Sequence, residues 1–219
     1  MVKQFNFLGI TIDENMSWKA HTQKVACKIA QTIGTMKRLK KFLPIHIMKT
    51  LYNSLVLPHL TYGILLWGKK LKRINKLQKW AVRCIVNAKY NAHTEPIMKK
   101  LKILKAKDIH TLSAIKILYK YKHNKLPQYF DKLLDKPIPQ HRYETRHADS
   151  RPHSSPNTIT ASQSPKYVIP KIIDSLPESL ISKIESHTIK AFSFQAKSYL
   201  LQNYNELCTV ERCYICNRT

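Results

Sequence analysis

Residues 17–42, SWKAHTQKVACKIAQTIGTMKRLKKF, contain the pattern that decides the fold. Apolar residues recur every three or four positions, and lysines occupy many of the positions between them. This period places the apolar side chains on one face of a helix and the charged ones on the other. With Ser17 as the expected N-cap, the segment predicts an amphipathic helix over about residues 17–42. The apolar stripe consists of Val25, Ile29, Ile33, Met36, Leu39 and Phe42.

Further segments with the helical period follow. A second helix is predicted from Pro44 to Pro58, where the proline ends or kinks it. A third runs from Leu71 to Ala88, a fourth starts at Thr94-Glu95-Pro96, and a fifth covers about residues 108–122. The period returns in residues 169–183 and 187–204, after a stretch rich in Pro, Ser and His. The fold class predicted is therefore mainly α, a helical bundle with a Pro-rich arm and a small helical C-terminal part.

The N-terminal segment has a different period. Phe5, Phe7, Ile10 and Ile12 lie in a nearly alternating apolar run that stops at residues 13–15, Asp-Glu-Asn. The run predicts one strand followed by a turn, and no second strand is predicted nearby. Because a single strand cannot satisfy its own backbone hydrogen bonds, we expect it to pair with another chain or with a sheet from a longer protein.

The charge of the chain is large and uneven. The 219 residues contain 38 Lys/Arg and 13 Asp/Glu, which gives a formal net charge of +25. Residues 1–130 hold 26 of the basic residues and 4 of the acidic ones, and residues 15–94 contain no carboxylate at all. Such a surplus indicates a polyanionic partner, with nucleic acid first and an acidic membrane surface second.

The scarcity of acids argues against metal-dependent catalysis. Two-metal phosphoryl transfer requires clustered carboxylates, and residues 1–130 contain only Asp13, Glu14, Glu95 and Asp108. The Asp13-Glu14 pair is explained by a turn after a strand, and the ten histidines show no catalytic arrangement. We therefore expect no enzymatic activity from this chain.

The five cysteines fall into two groups. Cys27 and Cys84 lie in apolar helical patterns and are predicted to be buried thiols. Cys213 and Cys216 are separated by two residues, a spacing that suits a pair of zinc ligands. With Cys208 they supply three thiolates, one ligand short of a structural zinc site. Free cysteines are favoured over zinc, and no other cofactor is predicted. The odd number of cysteines and the lack of a secretion signal predict an intracellular protein, nuclear or cytoplasmic. No membrane span is predicted, because the longest uncharged stretch, residues 50–68, contains polar residues and a proline.

The basic helices carry the strongest functional signal. Lysines and arginines alternate with aromatic residues across the acid-free stretch, and cations neutralise phosphates while aromatic rings can stack on bases. For Tyr52 and Trp67 the core is the favoured location. The residues predicted to face phosphates are Lys24, Lys28, Lys37, Arg38, Lys40, Lys41, Lys72, Arg73, Lys76 and Lys79.

The order of motifs is also informative. The chain contains FLGITID at 7–13, LYNSLVLPHLTYG at 51–63, Trp67-Gly68, HRYETR at 141–146 and SLP at 175–177. This order resembles the region directly after the palm of a non-LTR (LINE-type) retrotransposon reverse transcriptase, an RNA-directed DNA polymerase. The resemblance covers nearly the whole chain and is most specific in residues 51–67.

The resemblance implies that Phe7, Leu8 and Gly9 are similar to a primer grip, a hairpin at the edge of the palm. It implies that residues 17–134 form a basic helical domain similar to the thumb, which holds an RNA–DNA hybrid or another nucleic-acid duplex. Residues 1–16 would be the palm edge, 135–168 a linker or arm, and 169–219 a helical segment with a Cys-containing tail. The family's catalytic carboxylates have no counterpart here, so the implied function is non-catalytic, with the missing palm and fingers as a further expected partner.

Two alternatives follow from the same residues. One is the thumb of an active polymerase whose other domains are missing from this sequence. The other is a retrotransposon-derived remnant or protein-interaction module without a nucleic-acid role, in which residues 50–68 would form an exposed apolar contact surface.

Overall fold

The computed structural model describes residues 3–134, 158–162, 164–184 and 188–205. These residues are mainly helical and include one two-stranded antiparallel sheet, which confirms the predicted fold class. The chain divides into two compact units, residues 1–110 with 197–219, and residues 111–196. The strands are β1 (Gln4–Phe7) and β2 (Ile10–Asp13). The α-helices are α1 (Lys19–Leu39), α2 (Ile45–Leu51), α3 (Leu57–Thr61), α4 (Ile64–Trp67), α5 (Lys72–Ile85), α6 (Thr94–Leu101), α7 (Ala106–Lys122), α8 (Asp131–Leu134), α9 (Ile159–Ser162), α10 (Pro165–Asp174), α11 (Glu178–Ile181) and α12 (Ile189–Gln202).

The N-terminal segment is a hairpin, so the prediction of a single strand was wrong. Phe7 pairs with Ile10 across a two-residue turn in which Leu8 and Gly9 have φ of 46° and 80°. Two consecutive positive φ values give the tight turn that matches the twist of a hairpin. Leucine is rare at such a φ, which is why no turn was predicted at this position.

The start of α1 also differs from the prediction. The helix begins at Lys19, and Trp18, with φ of 59°, occupies the cap position in place of Ser17. The N–H and hydroxyl of Ser17 instead donate to the Asp13 carboxylate, at 2.7 and 3.0 Å. Burial alone would raise the pKa of Asp13, but these hydrogen bonds hold it below its usual value. Asp13 therefore closes the turn after β2, as its position in the sequence predicted.

The helical segment around Pro58 continues through the proline. A π-helical turn, Tyr52–Val56, joins α2 to α3, and the N–H of Leu57 donates to the carbonyl of Tyr52 five residues earlier. Proline cannot donate this bond, and the wider turn shifts the hydrogen-bond register just before it. The predicted end or kink is thus replaced by a local widening of the helix.

The first unit is built around α1 and α5. The inward face of α1 includes Ala26, Ile29 and Ile33, each at most 1% exposed. It packs against α5, the π-helical turn and α3, and its first turns cover β2. The N–H of Thr11 in β2 donates to Nδ1 of His21 in α1 at 3.2 Å, so the helix satisfies the outer edge of that strand.

The second unit has its own apolar interior. Buried residues of α7 include Ile115 and Tyr119, and the ring of Tyr119 stacks on Phe192 of α12 at 5.4 Å between centroids. In the same unit α8 packs on α10. The helix α9 and the first residues of α10 fall within 135–168, the range predicted as a linker, so helical structure begins before residue 169.

Candidate nucleic-acid interface

The basic helices α1 and α5 lie side by side and run in the same direction. Near their N-terminal ends the guanidinium of Arg73 donates to Oε1 of Gln23. Further along, Nζ of Lys37 lies 3.8 Å from the centroid of the Trp80 ring. On each helix the second contact lies nearer to the C-terminus than the first. The two helices therefore run in the same direction and end on the same side of the unit. Their outward faces therefore form one surface with these two contacts along its seam.

A line of cations follows the outward side of α5. Lys72, Lys76 and Lys79 are exposed and are four and three residues apart, so they lie along one side of the helix. The opposite side carries Ile74 and Ala81, both fully buried. This separation explains the amphipathic pattern of the segment and leaves the three lysines with their charged groups in solvent. Arg73 belongs to the seam.

The C-terminal end of α1 adds a second group of cations. Arg38 and Lys41 are exposed, Lys40 is half-exposed, and Lys37 lies over the Trp80 ring. Cations in the last turn also interact favourably with the partial negative charge at the C-terminal end of the helix. This interaction explains the presence of Lys37 and Arg38 without any ligand. The group and the α5 line border the same seam.

Lys24 and Lys28 lie elsewhere. The spacing along α1 places them on the flank away from α5, and Nζ of Lys24 donates to the Thr11 hydroxyl at 3.0 Å. The pKa of His21 is lowered, first by burial and then by the charges of these two lysines. The structure thus brings eight of the ten predicted residues to the α1–α5 surface, and it places Lys24 beside the hairpin and Lys28 near His21 and His59.

The α1–α5 surface contains no acidic residue. Neither helix has an Asp or Glu, and within the described residues none of the ten predicted cations forms an ion pair. The carboxylate of Glu95 pairs with Lys105 at 2.8 Å, and this bond is the main reason why its pKa is lowered; Lys79 adds a smaller, longer-range effect. Apart from this longer-range effect of Glu95 on Lys79, the positive charges of this surface have no acidic partner in the described part of the chain.

The predicted core aromatics are confirmed. Tyr52 and Trp67 are both 0% exposed, and burial raises the pKa of Tyr52 to about 12. Trp67 Nε1 donates to the Tyr62 carbonyl at 3.0 Å, and its ring lies 5.6 Å from that of His21. The rings of Tyr52 and Trp67 are therefore unavailable to a nucleic acid.

The sequence patterns did not predict a structural role for Gln78. Its amide nitrogen donates to the Tyr52 hydroxyl at 2.9 Å and to the Leu104 carbonyl at 2.8 Å. Its amide oxygen accepts the N–H of Ala106 at 2.8 Å. A polar residue on the apolar face of α5, four positions after Ile74, was the available signal. Gln78 fastens α5 to the segment before α7 and so fixes the position of the lysine line.

The hairpin residues predicted to resemble a primer grip are exposed. Phe7 is 55% and Leu8 73% exposed, and the Tyr62 hydroxyl donates to the carbonyl of Leu8. A Cβ on Gly9 would lie 3.9 Å from the Tyr62 ring, and the φ of 80° favours glycine. The turn is thus fixed against the segment after α3, with the apolar side chains pointing to solvent.

The cysteine predictions have different outcomes. Cys84 is buried, and burial raises the pKa of its thiol, as predicted. Cys27 is exposed, so its predicted burial was wrong: it lies one position beyond Ala26, on the outer side of α1. Cys208, Cys213 and Cys216 lie outside the described residues, and among the residues described no group of three potential metal ligands was found.

No known protein family, curated protein or solved structure matches this chain in comparisons of sequence and fold. In the part of the chain that the structure describes, no helix combines the length and apolarity needed to cross a membrane.

Proposed function

We propose that this chain binds the sugar–phosphate backbone of duplex nucleic acid, an RNA–DNA hybrid or a DNA duplex, through the α1–α5 surface. The observation that carries the proposal is the acid-free pair of helices with a shared outward face and cations that have no carboxylate partners. Phosphates supply the missing counter-charge, and lysines that contact phosphates bind with little sequence preference.

The resemblance to LINE-type reverse transcriptases supports the same proposal. The residues that resemble the thumb, 17–134, include α1 and α5, and a thumb holds template–primer by its backbone. We propose the palm and fingers of such an enzyme as a protein partner. The exposed Phe5, Phe7 and Leu8 of the hairpin are the surface available for that contact.

The proposed role is non-catalytic. Three of the four acids within residues 1–130 have structural partners: Asp13 binds Ser17, Glu95 binds Lys105, and Asp108 accepts from the Tyr204 hydroxyl. Metal-dependent polymerisation needs carboxylates gathered around the ions. Primer extension by this chain alone is expected to be blank, and incorporation of nucleotides would overturn this part of the proposal.

The alternative of a contact surface over residues 50–68 draws less support. Five of its apolar residues are at most 1% exposed, which leaves Leu55, Tyr62 and Leu66 as the larger exposed members. The buried members are Tyr52, Val56, Leu60, Ile64 and Trp67.

A salt titration tests the proposed function. Affinity for an RNA–DNA duplex, measured by fluorescence anisotropy, is expected to fall steeply as salt rises, because each neutralised phosphate releases counterions. A flat titration, or the absence of binding at low salt, would refute backbone contact by this surface.

A further inference from the structure

The α1–α5 surface ends, on both helices, in an exposed aromatic residue. Phe42 follows α1 by three residues and is 80% exposed, and Tyr90 follows α5 by five residues and is 81% exposed. Because α1 and α5 run in the same direction, both rings belong to the same end of the surface. Neither ring packs in the core of this unit, and their location at one end of a cationic surface suits a ligand that offers both phosphates and flat apolar groups.

Both rings are carried on constrained turns. Tyr90 lies within a tight turn closed by the hydrogen bond from the N–H of Ala92 to the Lys89 carbonyl at 3.1 Å. Nε of Arg83, in the last turn of α5, donates to the Ala92 carbonyl at 2.8 Å. The N–H of Phe42 donates to the carbonyl of Leu39 at 2.9 Å, and Pro44 restricts the chain two residues later. These bonds hold the backbone at both rings in place before any ligand arrives.

We propose that this end of the α1–α5 surface binds unpaired nucleobases, which stack on Phe42 and Tyr90 while the lysines hold the adjoining backbone. The inference rests on the proposed function and adds a substrate class: a duplex with a single-stranded extension. Stacking on an aromatic ring accepts any base, which suits a surface that otherwise contacts only phosphates.

An anionic membrane would also attract cations and exposed rings, but the layout favours a strand. The exposed lysines of α5 continue in a line from Lys79 back to Lys72, away from the aromatic end. A line of charges matches the successive phosphates of one backbone, whereas membrane-surface helices combine a charged face with a broad apolar one. The apolar face of α5 is buried in the unit.

The test compares two fluorescent probes bound to the full chain at several salt concentrations. One is a blunt RNA–DNA duplex of about 16 base pairs, longer than α1 at about 31 Å. The other adds about six unpaired nucleotides at one end, on either strand in turn. The variants are Phe42→Ser with Tyr90→Ser, and the matched control Phe194→Ser. Phe194 is also an exposed ring, 66%, but lies on α12 in the second unit.

The expected result is at least about tenfold tighter binding of the extended probe. The double variant should lose this preference and keep its affinity for the blunt duplex, and the Phe194 control should behave as the native chain. Equal affinity for both probes, or a preference that survives the double substitution, overturns the inference and leaves the proposed function in place. Failure to bind the blunt duplex at all overturns the proposed function. Binding of each protein to phosphatidylserine vesicles is measured in parallel. If the double variant loses only its binding to these vesicles and keeps its preference for the extended probe, the rings belong to a membrane contact and the inference is overturned.

Discussion

Replacement of Lys72, Lys76 and Lys79 by Gln tests whether the lysine line of α5 contacts phosphates. The three residues span seven positions, about 10.5 Å of helix at about 1.5 Å per residue. One strand of B-form duplex presents a phosphate about every 3.4 Å of axis, so this length faces about three phosphates. Each neutralised phosphate contributes about 0.9 to the slope of log K against log salt. The triple variant should therefore lower the magnitude of the slope by up to about 2.7.

Fluorescence anisotropy with a blunt duplex, over salt concentrations from about 50 to 300 mM, gives the slope directly. A matched control removes the same charge from exposed lysines of the second unit, Lys120, Lys125 and Lys171, by the same Lys→Gln change. Since all six side chains are exposed, neither variant should lose more than about 0.5 kcal/mol of stability, and urea melts check this.

An equal decrease of the slope in the α5 variant and in the control would refute a specific role of Lys72, Lys76 and Lys79. That result would mean that net charge, and not the position of the lysines on the α1–α5 surface, governs binding. An unchanged slope in both variants would remove α5 from the interface altogether.

Three further predictions concern the scaffold that holds this surface. Gln78→Leu should lower the free energy of unfolding by about 3 kcal/mol or more, because it leaves three buried hydrogen-bonding groups without partners; urea melts should show a change of less than about 0.5 kcal/mol for the exposed control Gln31→Leu. Gly68→Ala should cost about 1–3 kcal/mol, since the new Cβ would lie 2.3 Å from the His110 ring, whereas Gly34→Ala, with open space around it, should gain about 0.5–1 kcal/mol in thermal melts. Burial, then the charge of a nearby lysine, lowers the pKa of His110 to about 4, so its unfolded form binds a proton first and stability should fall between pH 6.5 and 4 by roughly 3 kcal/mol; His110→Leu should flatten this slope, and an unchanged slope would contradict the assignment.

Much of the fold could be predicted from periodicity alone. The apolar stripe of α1 identified Ile29 and Ile33 as core, and both are at most 1% exposed. Periodicity failed where a local conformation broke the pattern. Leu8 carries a positive φ that leucine seldom adopts, so the hairpin had no recognisable turn signal. Cys27 and Cys84 looked alike in the sequence, but one position of rotation about α1 puts Cys27 outside.

The candidate site was predictable only in part. Composition identified the cations, because lysines on acid-free helices cannot be core residues. It could not show which of them lie together, since Lys24 and Lys28 point to a different flank of the same helix. Gln78 escaped prediction because a glutamine on an apolar face can either point outward or find buried partners, and its partners are 26 and 28 residues away.

The sequence by itself determined the helices, their apolar faces and the surplus of positive charge, because all three depend on residues within a few turns of one another. Only the tertiary structure decided that α1 and α5 lie side by side in the same direction. That arrangement depends on packing between apolar faces that lie far apart in the chain, and the hydrogen bond between Gln23 and Arg73, which are 50 residues apart, lies beside it. It converts two separate basic helices into one surface and brings Phe42 and Tyr90 to the same end.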